Sequence, residues 1–314
     1  MITTWRFTVK PYEDETLSSW LVRVAQINYT HFYALFSHSD YKRSIYKNDL
    51  DLLSYSSGLY GWLSEMTGVT IERIQRMSLR TYEGFIQEKV TLHPKQPWII
   101  TMGQVKAHGY RFCPECLKEH AYFRKEWRLL FVNMCSHHRI YLSNHCDACM
   151  TPVVPQLINE HNTLVSCYRC GYDLRTNKSQ KLDALNDYLR VQQQLMQIAD
   201  RGYYIMQNRW HYSIGLFEIL HQLVLFFARK RHTEFNHQLK HGDLCTVEPR
   251  VIAEYIQSAM KLFDGWPVEF RKFCKENRIS NHFRLFEKFP WQGLPLWFAK
   301  EAAMNFNKGF KNGY

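Results

Sequence analysis

Eight residues in the middle of the chain are spaced to hold metal ions. The first set reads Cys113-Pro-Glu-Cys116, then eighteen residues, then Cys135-Ser-His-His138. The second reads Cys146-Asp-Ala-Cys149, then seventeen residues, then Cys167-Tyr-Arg-Cys170. A two-residue gap lets both side chains of a tight turn reach one tetrahedral ion, and the longer gap lets a second turn close the shell. One Cys₃His set and one Cys₄ set predict two Zn²⁺ ions. They use seven of the nine cysteines and leave Cys245 and Cys274, isolated in helical patterns and expected as small buried hydrophobes.

The fourth ligand of the first set is His138 or His137. His138 repeats the spacing of the other three turns and is preferred; His120 and His145 are further candidates. The turns Cys135–His138 and Cys146–Cys149 are separated by seven residues, so the two sites should be neighbours sharing a short strand, Arg139–Leu142. Spacing leaves open whether the pairs are sequential or interleaved. Four protein ligands leave no coordination position for water or substrate, which marks the sites as structural. A disulfide framework fits poorly with the paired spacing, the participating histidine and an opening, Met1–Lys10, without a secretory layout.

Nothing else in the chain spells an active site. There is no Gly-x-x-x-x-Gly-Lys-Ser/Thr cradle, no Gly-x-Ser-x-Gly elbow and no His-Glu-x-x-His helix. The run His137-His138 with Asn144-His145 is too short for a His-Asn-His nuclease hairpin, so no catalytic residue is assigned and no enzymatic activity is expected.

The elements that must position the metal turns are mainly helical. The chain divides by texture into an N-terminal helical region (1–100), the cysteine-rich region (101–178) and a C-terminal helical region (179–314). Asp14 is expected to cap a helix with Leu17, Trp20, Leu21, Val24 and Ile27 on one stripe. Short helices follow near His31–Phe36 and Asn48–Leu53. The stretch Leu63–Met77 reads as a helix-turn-helix: Gly68 makes the turn, Ser64 lets the helices approach, and Val69, Ile74 and Met77 hold the second helix on the core. Thr70 would cap that helix, leaving Glu72, Arg73, Gln75 and Arg76 outward. Thr70, Arg73, Gln75 and Arg76 are therefore the candidate contacts to duplex DNA or to a protein partner, with Glu72 speaking against a phosphate contact. After His93, Pro94 and Pro97, Trp98–Met102 reads as extended. C-terminal helices are expected near Lys181–Ala199, Ile214–Lys230, Glu248–Phe263, Val268–Arg278 and Leu294–Phe306. The fold class is thus mainly α with small zinc-ribbon-like β elements.

The chain has 314 residues, a formal net charge of +11 and a pI near 9.2. The charge points to a polyanionic partner such as DNA, RNA or a ribonucleoprotein. The longest apolar stretch, Ile214–Ala228, is broken by Glu218, His221 and Gln222, so no membrane span and a cytoplasmic, nucleoid-associated location are expected.

These residues resemble the TniQ/TnsD family of transposition target-selection proteins. The resemblance is carried by Pro11-Tyr12-Glu13-Asp14-Glu15-Thr16-Leu17-Ser18-Ser19-Trp20-Leu21, by the order Cys113-Pro-x-Cys116, Trp127, Cys135-x-x-His138, Leu142, Cys146-x-x-Cys149, Cys167-x-x-Cys170, and more thinly by Phe263-Asp-Gly-Trp266-Pro267-x-x-Phe270. It implies an adaptor without chemistry of its own. Such an adaptor joins a target-recognising element to an AAA+ (TnsC-like) transposition regulator. The target element is an RNA-guided CRISPR effector complex in TniQ-like members of CRISPR-associated transposons, or attachment-site DNA in TnsD-like members. The chain's length favours the RNA-guided adaptor, and the resemblance allows a homodimer. The rival class is a general zinc-containing DNA-binding transcription factor.

Overall fold

The computed structural model describes residues 5–55, 58–92, 96–102, 109–159, 161–179, 187–231, 244–279 and 295–305. Helix α1 (Leu17–Ile27) starts where Thr16 turns extended and its hydroxyl accepts from the Ser19 amide at 3.2 Å. Asp14 is therefore not the cap. Its carboxylate receives the Tyr122 hydroxyl at 2.7 Å and the Arg124 guanidinium at 2.5 Å, because the chain just before α1 is paired with the cysteine-rich region. The Thr16 amide donates to the Phe123 carbonyl, and the Lys125 amide to that of Asp14. Leu17, Trp20, Leu21 and Val24 are buried as expected, whereas Ile27 in the last turn is 38% exposed.

A 3₁₀ turn, Phe32–Phe36, is followed by helix α2 (Lys42–Lys47), which the sequence pattern did not announce. Ile45 is its one buried residue, too little for a period to register. The Asn48–Leu53 expectation shrinks to a 3₁₀ turn, Leu50–Leu52. Helices α3 (Leu59–Thr67) and α4 (Ile71–Arg76) meet at Gly68, whose φ of 71° is the left-handed conformation that glycine adopts without steric cost. The Thr70 hydroxyl accepts from the Arg73 amide at 3.4 Å, and Ile74 and Met77 are buried. Residues 98–100 are extended and exchange hydrogen bonds with Arg128 and Leu130; His93 and Pro94 lie outside the described residues.

Helix α5 (Pro114–Glu119) opens the first cysteine set. Beyond the second come α6 (Tyr188–Arg201), a two-stranded antiparallel hairpin of β1 (Tyr203–Met206) and β2 (Arg209–Tyr212), α7 (Ser213–Arg231), α8 (Pro249–Asp264), α9 (Val268–Glu276) and α10 (Leu296–Asn305). The five expected C-terminal helices are present; Lys181, Leu294 and Phe306 lie outside the described residues. The hairpin gives little sequence signal, because Tyr203–Met206 does not alternate apolar with polar residues. Cys274 is buried in α9, but Cys245 sits half-buried in a 3₁₀ turn, Leu244–Thr246, rather than inside a helix.

One hydrophobic core runs through all three regions. The Trp98 indole donates to the Phe217 carbonyl of α7 at 2.9 Å. Gln192 of α6, 4% exposed, accepts from the Asn133 and Met134 amides and donates to the Met134 carbonyl. It behaves as a short strand laid beside the segment that leads into Cys135.

At the centre lies a buried ionic network. Arg128 is fully buried and reaches Asp51 at 2.8 Å with one guanidinium nitrogen, Asp49 with the other, and the Ile100 carbonyl through Nε at 2.7 Å. Asp51 also accepts from the Ser18 amide at 2.8 Å, the Ser18 hydroxyl at 2.7 Å and the Tyr110 hydroxyl at 2.6 Å. Burial alone would pull the Arg128 guanidinium down, but Asp49, Tyr110 and Asp51 overcome that and the net shift is upward. Removing one partner strands the opposite charge away from water. Arg128→Met or Asp51→Ala should therefore cost roughly 3–5 kcal/mol of unfolding free energy, measurable as a lowered urea midpoint. Arg128→Lys should fall in the same direction, because an ammonium cannot serve two carboxylates and a carbonyl in a planar fork.

A second buried carboxyl gives a pH signature. Glu15 is fully buried, and burial raises its pKa from the ordinary 4.5 to about 7 despite the Arg23 guanidinium 2.6 Å away. Between those values the folded chain binds more protons than the unfolded chain, so this group's contribution to stability falls as pH rises through the window. Glu15→Gln should remove that loss. Relative to the parent chain, the variant's unfolding midpoint should climb steadily as pH is raised across the window, and a constant difference would show that Glu15 is not the titrating group.

Candidate metal centres

Three of the four cysteine turns are built alike. Cys135, Cys146 and Cys167 each accept at their carbonyl from the amide four residues on, at 2.9, 2.8 and 2.9 Å. Each donates its own amide to the carbonyl five residues on, at 2.9, 3.0 and 2.8 Å. The fourth residue after each cysteine, Arg139, Met150 or Gly171, takes a left-handed φ of 54°, 55° or 75°. This tight return places both ligand side chains of a turn on the same side. The remaining turn uses a helix instead: Cys113 caps α5, Pro114 occupies the first helical position, and the Cys116 amide faces the Cys113 sulfur at 3.4 Å.

The turns bring the sets together in sequential order. Cys113, Cys116, Cys135 and His138 form one group and Cys146, Cys149, Cys167 and Cys170 the other, with all ligand atoms of each group within 4.8 Å of one another. In the first, His138 Nδ1 lies 3.5, 3.4 and 3.5 Å from the sulfurs of Cys113, Cys116 and Cys135, and the Cys116 and Cys135 sulfurs are 3.4 Å apart. In the second, Cys146–Cys170 and Cys149–Cys167 are each separated by 3.7 Å. Ligands at zinc bond lengths lie roughly 3.6–3.8 Å apart along the edges of a tetrahedron. Each group could therefore hold a metal ion, and its donor set and spacing fit structural zinc.

His137 is exposed and belongs to neither group. The His120 ring packs against Tyr12, and His145 Nδ1 lies 2.7 Å from the Asn144 side-chain oxygen, so neither joins a cluster. One supporting residue escaped the sequence reading. Glu119, at the end of α5, places Oε1 3.1 Å from His138 Nε2. A carboxylate there fixes the tautomer that leaves Nδ1 free to bind a metal. Its sequence signal was its place three residues after Cys116, on the same helix.

The two centres touch. Phe112 and Ser143 exchange backbone hydrogen bonds at 2.9 and 2.8 Å, and the Tyr110 amide donates to the Val153 carbonyl at 2.7 Å. At Gly109 a β-carbon would stand 2.4 Å from the Val153 amide nitrogen, so only glycine permits this approach. Asn177 ties the second centre to its own start, donating to the His145 carbonyl at 2.8 Å. Residues 139–142 do not form a regular strand; Tyr141 makes an isolated bridge with Met134. The first centre is the deeper: its three cysteines are buried, whereas in the second Cys149 is half-buried and Cys170 exposed. Burial pushes the Cys146 thiol up to about 12. Four sulfurs so close cannot all ionise unless a cation sits among them, which couples metal binding to proton release.

The α3–α4 pair places its candidate contacts unevenly. Thr70 and Arg76 are exposed, as is Glu72, but Arg73 and Gln75 are half-buried. Arg73 donates to the Pro11 carbonyl at 3.4 Å, and the backbone carbonyls of Gln75 and Arg76 receive Tyr55 and Lys125.

Residues 6–142 match the family model of TniQ. Those residues carry a TniQ domain. The matched span takes in α1 to α5, the buried ionic network and the whole first cysteine group. It ends before Cys146, so the second group and the C-terminal helices lie beyond it. No curated protein sequence matches the chain. The TniQ domain connects the chain with DNA transposition. No described helix is long and apolar enough to cross a membrane.

Sequential pairing makes a clean prediction. Metal analysis of the purified chain should find two zinc ions. Cys116→Ser should lose one and Cys167→Ser the other, and a chelator should strip the shallower Cys₄ group first. Cys116→Ser combined with Cys135→Ser should still lose only one ion, because both sulfurs belong to one group; interleaved pairs would lose both.

Proposed function

We propose that the chain is a non-catalytic target-selection adaptor in DNA transposition, with two structural zinc ions. In this reading it links a target-recognition element to an AAA+ transposition regulator, acting at the nucleoid. The observation that carries it is the TniQ domain, housing a buried framework and a metal group whose four protein ligands leave no position open for substrate. Regions 1–100, 101–178 and 179–314 are proposed as its working units: a helical pair for docking, a paired metal module and a helical platform. A homodimer is compatible with this arrangement.

Within that role, α4 speaks for docking on a protein or ribonucleoprotein, such as an RNA-guided CRISPR effector complex, over reading attachment-site duplex DNA. It has six residues, about 9 Å of helix, which is short for lying along a major groove. Its acidic Glu72 is exposed, while Arg73 is already engaged by Pro11. The duplex-reading alternative, a homing protein or a zinc-containing transcription factor, draws on the net charge of +11.

Co-purification with the products of neighbouring genes, alongside duplex binding across a salt series, separates these readings. Arg73→Ala with Arg76→Ala should weaken the partner complex while barely changing affinity for naked duplex. If the pair reads DNA instead, the salt slope should drop by roughly one to two units. Tight, sequence-specific duplex binding lost in that variant without any partner would overturn the docking reading. Nuclease or strand-transfer activity of the isolated chain, lost in His137→Ala with zinc content intact, would overturn the adaptor.

A further inference from the structure

The hairpin β1–β2 has two unlike faces. Cross-strand pairs Tyr204–His211 and Met206–Arg209 alternate with Tyr203–Tyr212 and Ile205–Trp210. Strand alternation puts the members of each set on one side. The inner side is the anchor: Tyr204 and Met206 are buried, and the Tyr204 ring packs near His211 and Trp297. The outer side is the reverse, with Ile205 60%, Trp210 66% and Tyr212 86% exposed. Tyr203 and Trp210 hold each other with ring centroids 4.2 Å apart, so the rings are pre-ordered and not merely loose at the surface. An apolar side chain costs stability when left in water, and three on one small hairpin face mark a contact surface.

What surrounds the face selects the occupant. A cleft of about 470 Å³ opens beside it, and Gln194, Gln197 and Arg201 of α6 line it together with Tyr203 and Gln207. Gln194, Gln197 and Arg201 succeed one another at helical spacing, so an amide and guanidinium edge runs directly into the aromatic face. Among the described residues Arg201 is in no ion pair, whereas Arg209, exposed at the hairpin tip, alternates onto the other side with Met206. The outer set of Tyr203, Ile205, Trp210 and Tyr212 includes no carboxylate, and Asp264 is among the residues lining the cleft. Flat rings, amides that pair with base edges, and a free guanidinium in a chain of net charge +11 are the combination that takes up unpaired nucleotides.

We propose that the hairpin face and its cleft bind an unpaired stretch of nucleic acid. Bases stack on Trp210, Tyr203 and Tyr212, while Arg201 meets the phosphate backbone. With four-residue strands, the face accommodates about two or three nucleotides. A duplex keeps its bases stacked on one another and cannot use the rings. The inference does not depend on the adaptor role, since it concerns residues beyond the TniQ match.

The test uses the full-length, zinc-loaded chain and fluorescently labelled twelve-mers of deoxythymidine and of uridine, with a duplex of equal length, followed by anisotropy. Both single strands should bind more tightly than the duplex; a preference for uridine assigns the site to RNA, and for deoxythymidine to DNA. Trp210→Ala with Tyr212→Ala should lose roughly tenfold or more in affinity, from the worth of each stacked base, with zinc content and circular dichroism unchanged. Trp210→Phe should retain binding yet lose part of the fluorescence quenching that accompanies it. Arg201→Ala should lower the salt slope by roughly 0.7 units. The proposal is overturned by equal affinity for duplex, by undiminished binding in the aromatic variant, or by no binding of either oligonucleotide at low salt. If the last occurs while the aromatic variant loses a protein in co-purification, the face belongs to a protein partner.

Discussion

A fully buried arginine orders the TniQ domain. Arg128 would be intolerable in an apolar interior without Asp49, Asp51 and the Ile100 carbonyl, and those carboxylates are tolerable only because Ser18, Tyr110 and the Met102 amide complete their shells. The partners come from separate stretches of chain: Ser18, Asp49 with Asp51, Ile100 with Met102, and Tyr110. The network therefore fixes the start of α1, the 3₁₀ turn at Leu50–Leu52, the extended 98–102 segment and the entry to the first metal centre relative to one another. An apolar set of the same volume could match it in free energy. What the charges add is directionality: each hydrogen bond is satisfied in one register, while hydrocarbon would pack in several.

The metal centres extend that logic where the chain has little secondary structure. From Tyr110 to Asn177 the described backbone contains one short α-helix, 3₁₀ turns and isolated bridges, too little regular pairing to hold itself. Tight sulfur turns supply the missing constraint, each closing its own loop and, with an ion bound, closing on another turn. The neighbouring helices reinforce them. Gln192 pairs with the backbone ahead of Cys135, and Tyr188 donates to the Phe131 carbonyl at 2.8 Å. Helix α6 thus braces the first centre from outside the matched family span.

Legibility from sequence followed how local the constraint was. Cysteine spacing is local, so the ligand groups could be read directly; what spacing could not decide, sequential order and the choice of His138, depended on which turns face each other in space. Gly68 and Thr70 were legible because turn and cap chemistry reside in single residues. Asp14 was misassigned for the same reason in reverse: its sequence context says cap, but tertiary pairing with Tyr122 and Arg124 outbids the helix end. Arg128, Asp49 and Asp51 gave no sequence signal at all, since charged residues are read as surface until their partners, up to 79 residues away, are known. The hairpin after α6 was hidden by aromatics that suit strand and helix alike.

The unequal exposure of the two halves shapes how such a molecule can serve as a connector. In the TniQ domain most polar groups near the candidate docking helices are spent internally, on Pro11, Tyr55 and Lys125, leaving Glu72 and Arg76 at the surface. Beyond it, the hairpin leaves its aromatic face uncommitted, and Arg201 of α6 beside it is in no ion pair among the described residues. Contacts already satisfied within the chain contribute little to binding, because exchanging them for a partner's gains no net hydrogen bond. Uncommitted rings and guanidiniums do contribute, since burying them removes apolar surface from water and pairs free charge. The hairpin face therefore lies outside the part of the chain that the ionic network and the first metal group hold in register. A ligand bound there, as proposed, would leave that framework unstrained.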